Sequence, residues 1–116
     1  MSSLGPHSLW LLIEDGQAPV ILDVRSAAEY RRGHVPGARH VPFWRAFRET
    51  RQLPPAGEHV VLYCGHGPRA WIAAWQLRRR GWRRPRFLRG HMAGWRRAGL
   101  PEETGGATDR SSRPDD

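Results

Sequence analysis

Two short runs, residues 20–24 (Val-Ile-Leu-Asp-Val) and 59–63 (His-Val-Val-Leu-Tyr), carry apolar side chains at successive positions, and each leads into residues that start a helix. A short run that is apolar on both alternating faces is a strand covered on both sides. Strands of that kind belong to parallel sheets, whose right-handed crossovers place helices on the two faces. This pattern predicts an α/β fold with a central parallel sheet and flanking helices.

The rest of the chain supplies those helices. Pro6 opens a helix on which Leu9, Leu12 and Ile13 share one face, and Gly16 closes it. Ser26 and Glu29 have the spacing of a capping box, with Gly33 as the stop. Pro36 and Gly37 mark a turn, a short strand is expected at 40–42, and residues 43–51 read as a helix broken by Pro54 and Pro55. A longer helix is expected over 70–80, with Ala70, Trp71, Ala74, Trp75 and Leu77 as its packed stripe. Trp71 and Trp75 are accordingly read as core or edge packing. A strand at 86–88 and a helix over 92–98 complete the series, which Gly99 and Pro101 end. Residues 1–5 are expected to fray. From Glu102 onward the Gly, Thr, Ser, Pro and Asp composition predicts a disordered tail.

The 116 residues suit one domain, and the single cysteine excludes an internal disulfide and a four-thiolate zinc site. The six histidines show no metal-ligand spacing. The net charge is +8, all of the positive charge being arginine. It is read as a compositional bias toward arginine rather than as a nucleic-acid footprint, although such a field attracts small anions and acidic proteins. The arginines at 78–80 and 83–84 are read as a solvated helix end, the alternative being a docking site for an acidic protein. No apolar stretch has spanning length and no secretory leader pattern is visible, so no membrane partner is expected. Nor, on the compositional reading of the charge, is nucleic acid, a nucleic-acid binder with steeply salt-dependent binding being the rival reading. Cytoplasmic location is the default expectation.

The chemistry is expected where the second strand ends. Cys64 is followed by Gly65, His66, Gly67, Pro68 and Arg69, and then by the helix. The glycines allow a tight curl in which backbone N–H groups converge on one point. Pro68 suits a first helical turn, and the helix N-terminus and Arg69 add positive potential there. Such an environment favours the thiolate, the reactive form of cysteine, and would hold a persulfide anion. His66 is either a donor or proton shuttle at that anion or a solvated loop residue. The first strand ends in Asp23, with Arg25 two residues on.

Three blocks resemble the rhodanese family. The first is Leu22-Asp23-Val24-Arg25 with Glu29-Tyr30 and Gly33 to Ala38. The second is Val61 to Cys64 and on to Arg69. The third is Leu88-Arg89-Gly90-His91-Met92-Ala93-Gly94-Trp95. The resemblance implies a rhodanese domain over residues 4–101, followed by an acidic tail over 102–116. It implies that Cys64 is a nucleophile receiving sulfane sulfur, with residues 65–69 as the cradle. Asp23, Arg25 and Glu29 would brace the site, and His34 and Trp95 would be structural. The implied activity is that of a thiosulfate sulfurtransferase, moving sulfur from thiosulfate or a persulfide to a thiol or cyanide through a Cys64 persulfide, without metal or organic cofactor. The implied partners are a small anionic sulfur donor and a thiol acceptor, a protein persulfide carrier being one form of either.

Four positions depart from the common family pattern. Gly65 stands where many members have a basic residue, Ala70 replaces a serine, Pro68 removes an N–H, and His91 stands where a second glycine is common. These leave the donor's identity open. Two rivals share the scaffold: a non-catalytic rhodanese-like interaction module, and a small phosphatase or arsenate reductase. Against the latter, four residues separate Cys64 from Arg69, one fewer than in the related phosphatase branch.

Overall fold

A computed structural model describes residues 2–45, 59–82 and 84–105. Strands β1 (Ser3–Leu4), β2 (Val20–Asp23), β3 (Arg39–His40), β4 (Val60–Tyr63) and β5 (Arg86–Leu88) form one sheet in the order β1-β5-β4-β2-β3. Every pairing is parallel. The described helices are α1 (Pro6–Glu14), α2 (Ala27–Arg32), α3 (Pro68–Arg79) and α4 (His91–Arg97).

Side-chain alternation along the strands divides the core in two. Leu22, Val60, Leu62 and Cys64 point to the face covered by α3, where they meet Ala70, Ala73, Ala74 and Leu77. Ile21, Val61, Tyr63 and Leu88 point to the other face, where they meet Leu9, Tyr30, Met92 and Trp95. The strand that ends at the cysteine is the central one, buried at all four positions. Among the described residues no helix is long and apolar enough to cross a membrane.

Four differences from the sequence expectations stand out. Residues 2–4 are held rather than frayed: the carbonyls of Ser2 and Leu4 accept the N–H groups of Phe87 at 3.1 Å and Arg89 at 2.8 Å, which makes β1 an edge strand. Its partner lies more than eighty positions away, so no local pattern marks it. The third strand lies at Arg39–His40 rather than 40–42, and Phe43–Arg45 is a single 3-10 turn. The remainder of the helix expected over 43–51 falls outside the described residues.

On α3 the buried stripe is Ala70, Ala73, Ala74 and Leu77, while Trp71 and Trp75 are 58% and 61% exposed. Small residues let the helix lie close to the sheet, which leaves no room beneath it for indole rings.

The segment after Pro101 is also tied down at its start. His34 and Glu103 exchange both backbone hydrogen bonds at 2.8 Å, and the Gly105 N–H donates to the Arg31 carbonyl at 2.9 Å. The Arg96 guanidinium pairs with the Glu102 carboxylate at 3.2 Å. Composition alone marked these residues as unpackable, but backbone pairing with the end of α2 needs no apolar side chain. Residues 106–116 of the expected tail lie outside the described residues.

Candidate active site

Cys64 directly follows β4, and its side chain is fully buried beneath the loop that leads to α3. Gly67 caps α3, with Pro68 at the first helical position. The N–H of Gly67 points back at the Cys64 sulfur, 2.9 Å from Sγ. A helix N-terminus has N–H groups without intrahelical partners, and the macrodipole makes that end positive, so the sulfur faces a site that favours negative charge. Gly67 has φ +139°, and a Cβ there would meet His91 Nε2 at 3.5 Å. The expected convergence of several amides is thus represented, among the described hydrogen bonds, by the amide of Gly67. His66 and Pro68 are exposed at the crest of the loop, and Gly65 is half-buried.

Arg69 does not stand free beside the sulfur. Its Nη1 and Nη2 donate to Glu29 Oε1 at 2.6 Å and Oε2 at 3.2 Å, and the guanidinium lies against Gly65. Glu29 Oε1 also accepts the backbone N–H and the hydroxyl of Ser26, each at 3.0 Å, so one carboxylate both caps α2 and positions the loop arginine. The hydrogen bonds from Arg69, aided by those from Ser26, hold the Glu29 carboxyl down at about 2, against the opposing effect of burial. Arg69 is pushed up in turn by its bond to Glu29.

The loop is held from the other side by α4. The Cys64 N–H donates to Nδ1 of His91 at 3.2 Å. The N–H groups of Met92 and Ala93, in the first turn of that helix, donate to the carbonyls of Cys64 at 2.9 Å and Gly65 at 3.3 Å. His91 has φ +54°, directly after Gly90 at +77°. Burial, with a smaller contribution from nearby His66, lowers the pKa of His91 and favours the neutral ring that this hydrogen bond requires. His91 appeared in the sequence as a departure at a glycine position. Its contact with Cys64 depends on the crossover from β5 and left no local signal beyond that anomaly.

Asp23 and Arg25 form a buried bidentate pair rather than contacts to the loop. Arg25 Nη2 reaches Asp23 Oδ2 at 2.7 Å and the Gly33 carbonyl at 2.7 Å, while Arg25 Nε reaches Asp23 Oδ1 at 3.0 Å. Burial pulls the Arg25 guanidinium down, but its bonds to Asp23 outweigh this and leave it raised. The Tyr63 hydroxyl, which sequence reasoning did not single out, donates to Asp23 Oδ2 at 2.8 Å and accepts the Val35 N–H at 3.0 Å. Burial, with the neighbouring Asp23 carboxylate, pushes this hydroxyl well up. Asp23 and Tyr63 are register partners on β2 and β4, which is why their side chains meet. Of the three expected supporting residues, Glu29 therefore touches the loop directly, and Asp23 with Arg25 fixes the strand ends behind it. Among the described residues no three His, Cys, Asp or Glu side chains are grouped to hold a metal ion.

The parallel sheet and helices that carry this cysteine are similar to those of known proteins. The family description "Rhodanese-like domain" matches residues 5–98. This chain belongs to the rhodanese family. A protein from Allochromatium vinosum named "Sulfurtransferase" is 30% identical over 101 residues, covering 87% of this chain and 94% of that protein. "Thiosulfate sulfurtransferase GlpE" from Actinobacillus pleuropneumoniae is 30% identical over 106 residues, covering 89% of this rhodanese and 94% of the relative. Among solved structures, the Alr3790 protein from Anabaena matches with a TM-score of 0.83 at 27% identity, covering 93% of this chain and 87% of that one.

Proposed function

We propose that this rhodanese is a sulfurtransferase that carries sulfane sulfur as a persulfide on Cys64. The observation that carries the reading is the N–H of Gly67, at the N-terminus of α3, directed at Sγ from 2.9 Å. That donor and the helix field stabilise negative charge at the sulfur in both its thiolate and persulfide forms. Relatives named for sulfur transfer, matched over nearly their whole length, support the same activity.

The reaction has two steps. The Cys64 thiolate attacks the outer sulfur of thiosulfate or of a donor persulfide. The donor's S–S bond breaks, and sulfite or a thiolate leaves with the bonding electron pair. An acceptor thiolate or cyanide then attacks the outer sulfur of the Cys64 persulfide. Thiocyanate or a new persulfide departs, and the Cys64 thiolate is regenerated. With one cysteine in the chain, no internal thiol can intercept the persulfide, and the acceptor comes from outside. The loop of Gly65, His66, Gly67, Pro68 and Arg69 would cradle the transferred sulfur, the Gly67 N–H being the donor nearest to it. Glu29 would steady that loop through Arg69, and Asp23 with Arg25 the strand ends behind it.

Intact mass spectrometry tests the reading. After exposure to thiosulfate or glutathione persulfide the protein should gain one sulfur atom. The gain should be absent in Cys64→Ser and removed by cyanide. A wild-type mass unchanged by both donors would overturn the assignment.

A further inference from the structure

Helix α3 has an outward face that the sulfur chemistry of small molecules leaves unexplained. Trp71, Ile72 and Trp75 on it are 58%, 46% and 61% exposed. Trp71 and Trp75 lie one turn apart, and the Arg79 guanidinium sits over the Trp75 ring at 5.1 Å from its centroid. Exposed indoles on consecutive turns are uncommon on a surface that meets only water, and tryptophan and arginine are the side chains most enriched at protein interfaces.

This face is joined to the site. The Trp71 N–H donates to the carbonyl of Gly67, the residue whose own N–H reaches the sulfur. The Trp71 ring packs against Phe87, which packs against His91, the acceptor for the Cys64 N–H. The charge is one-sided as well: from His59 to Leu100 the sequence has ten arginines and neither an aspartate nor a glutamate. A thiosulfate or cyanide molecule would use none of this area.

We infer that the exposed face of α3, with Trp71 and Trp75 as apolar anchors and Arg78 and Arg79 beside them, docks an acidic protein that presents its own cysteine sulfur to Cys64. Carboxylates around that cysteine match the exposed Arg78 and Arg79, and an apolar side chain can lie between the indoles. The inference rests on the sulfur-transfer reading of Cys64 and specifies the macromolecular form of its donor or acceptor.

Two synthetic cysteine peptides test it with the full chain. One is rich in Asp and Glu around its cysteine and apolar residue; the other replaces these with Asn and Gln. Each is activated as a 2-pyridyl disulfide. The Cys64 thiolate attacks the peptide sulfur, the mixed disulfide forms and pyridine-2-thione leaves, giving an absorbance readout independent of sulfur transfer. At low salt the acidic peptide should react about tenfold faster than the neutral one, and salt should collapse that ratio. Trp75→Ala and Arg79→Glu should each lower the ratio severalfold. Equal rates, no reaction with either peptide, or a ratio unchanged in both variants would overturn the inference. So would a single-stranded oligonucleotide that blocks the acidic peptide's reaction while Trp75→Ala abolishes the block, since the face would then belong to nucleic acid. A preserved ratio with no sulfur transferred to reduced peptide or cyanide would instead overturn the sulfur-transfer reading and leave the docking face standing.

Discussion

The backbone N–H of Cys64 and the Nδ1 of His91 are hydrogen-bonded at 3.2 Å, so the position of the thiol-bearing residue depends on an imidazole that keeps a lone pair on that nitrogen. Protonation of Nδ1 would set two donors against each other. Burial first, and His66 second, lower the pKa of His91, so the folded protein binds its proton less readily than the unfolded chain. The resulting stability is fully present above the ordinary value of 6.5 and is lost as the pH falls from there through the lowered folded value. Thermal melts between pH 8 and about 5 should show this loss in the wild type and a shallower one in His91→Gln, which cannot take up that proton. Equal slopes in the two proteins would remove His91 from the account.

Glu29→Gln tests the support of Arg69. Both side chains are roughly a third exposed, so the pair should contribute no more than about 1 kcal/mol to stability. The Glu29 carboxyl is held down at about 2, so its contribution is complete above the usual carboxylate value of 4.5 and disappears only as the pH falls through about 2. Near neutral pH the main consequence should fall on activity. Sulfur loading from thiosulfate should slow by about tenfold because the guanidinium loses its fixed position over Gly65. Stopped-flow loading kinetics beside a denaturant melt separate the two effects.

Gly67→Ala should harm both properties. The position has φ +139°, which side chains rarely adopt, while a Cβ would stand only in ordinary contact with His91 Nε2 at 3.5 Å, so the strain lies in the backbone. A cost of about 1 to 3 kcal/mol is expected from the backbone alone. Displacing the N–H from Sγ should also reduce the sulfur gain seen by mass spectrometry.

Tyr63→Phe should separate stability from chemistry. It removes the donor to Asp23 Oδ2 and strands the buried Val35 N–H, at a cost of about 1 to 3 kcal/mol. The Tyr63 side chain points to the opposite face of the sheet from Cys64, so persulfide formation by the folded fraction should persist. Urea melts combined with intact mass measurements check both parts.

What the sequence displayed follows from how local each feature is. The strands around Ile21 and Val61, the Ser26–Glu29 capping box and the Cys64-to-Arg69 loop are written in adjacent residues, and the structure contains all of them. Edge strand β1, the Cys64–His91 bond and the Asp23–Tyr63 contact depend on which distant segments the parallel crossovers bring together. Hydrophobic periodicity does not encode those meetings. The indoles of α3 were misplaced for a different reason. Periodicity ranks a tryptophan above an alanine as a core residue, whereas a helix lying close on a sheet selects for small size, as Ala70, Ala73 and Ala74 do here.

Helix α2 is six residues long, yet it is fastened at both ends. At its start Glu29 holds both Ser26 and Arg69. At its end the Gly33 carbonyl takes Arg25, and His34 is zipped to Glu103. The arginine beside the sulfur is therefore hung from a post whose footing includes the stretch just after Pro101. Trimming the protein back to that proline would loosen a bolt at the other end of this helix, and the slack would be felt at the thiol.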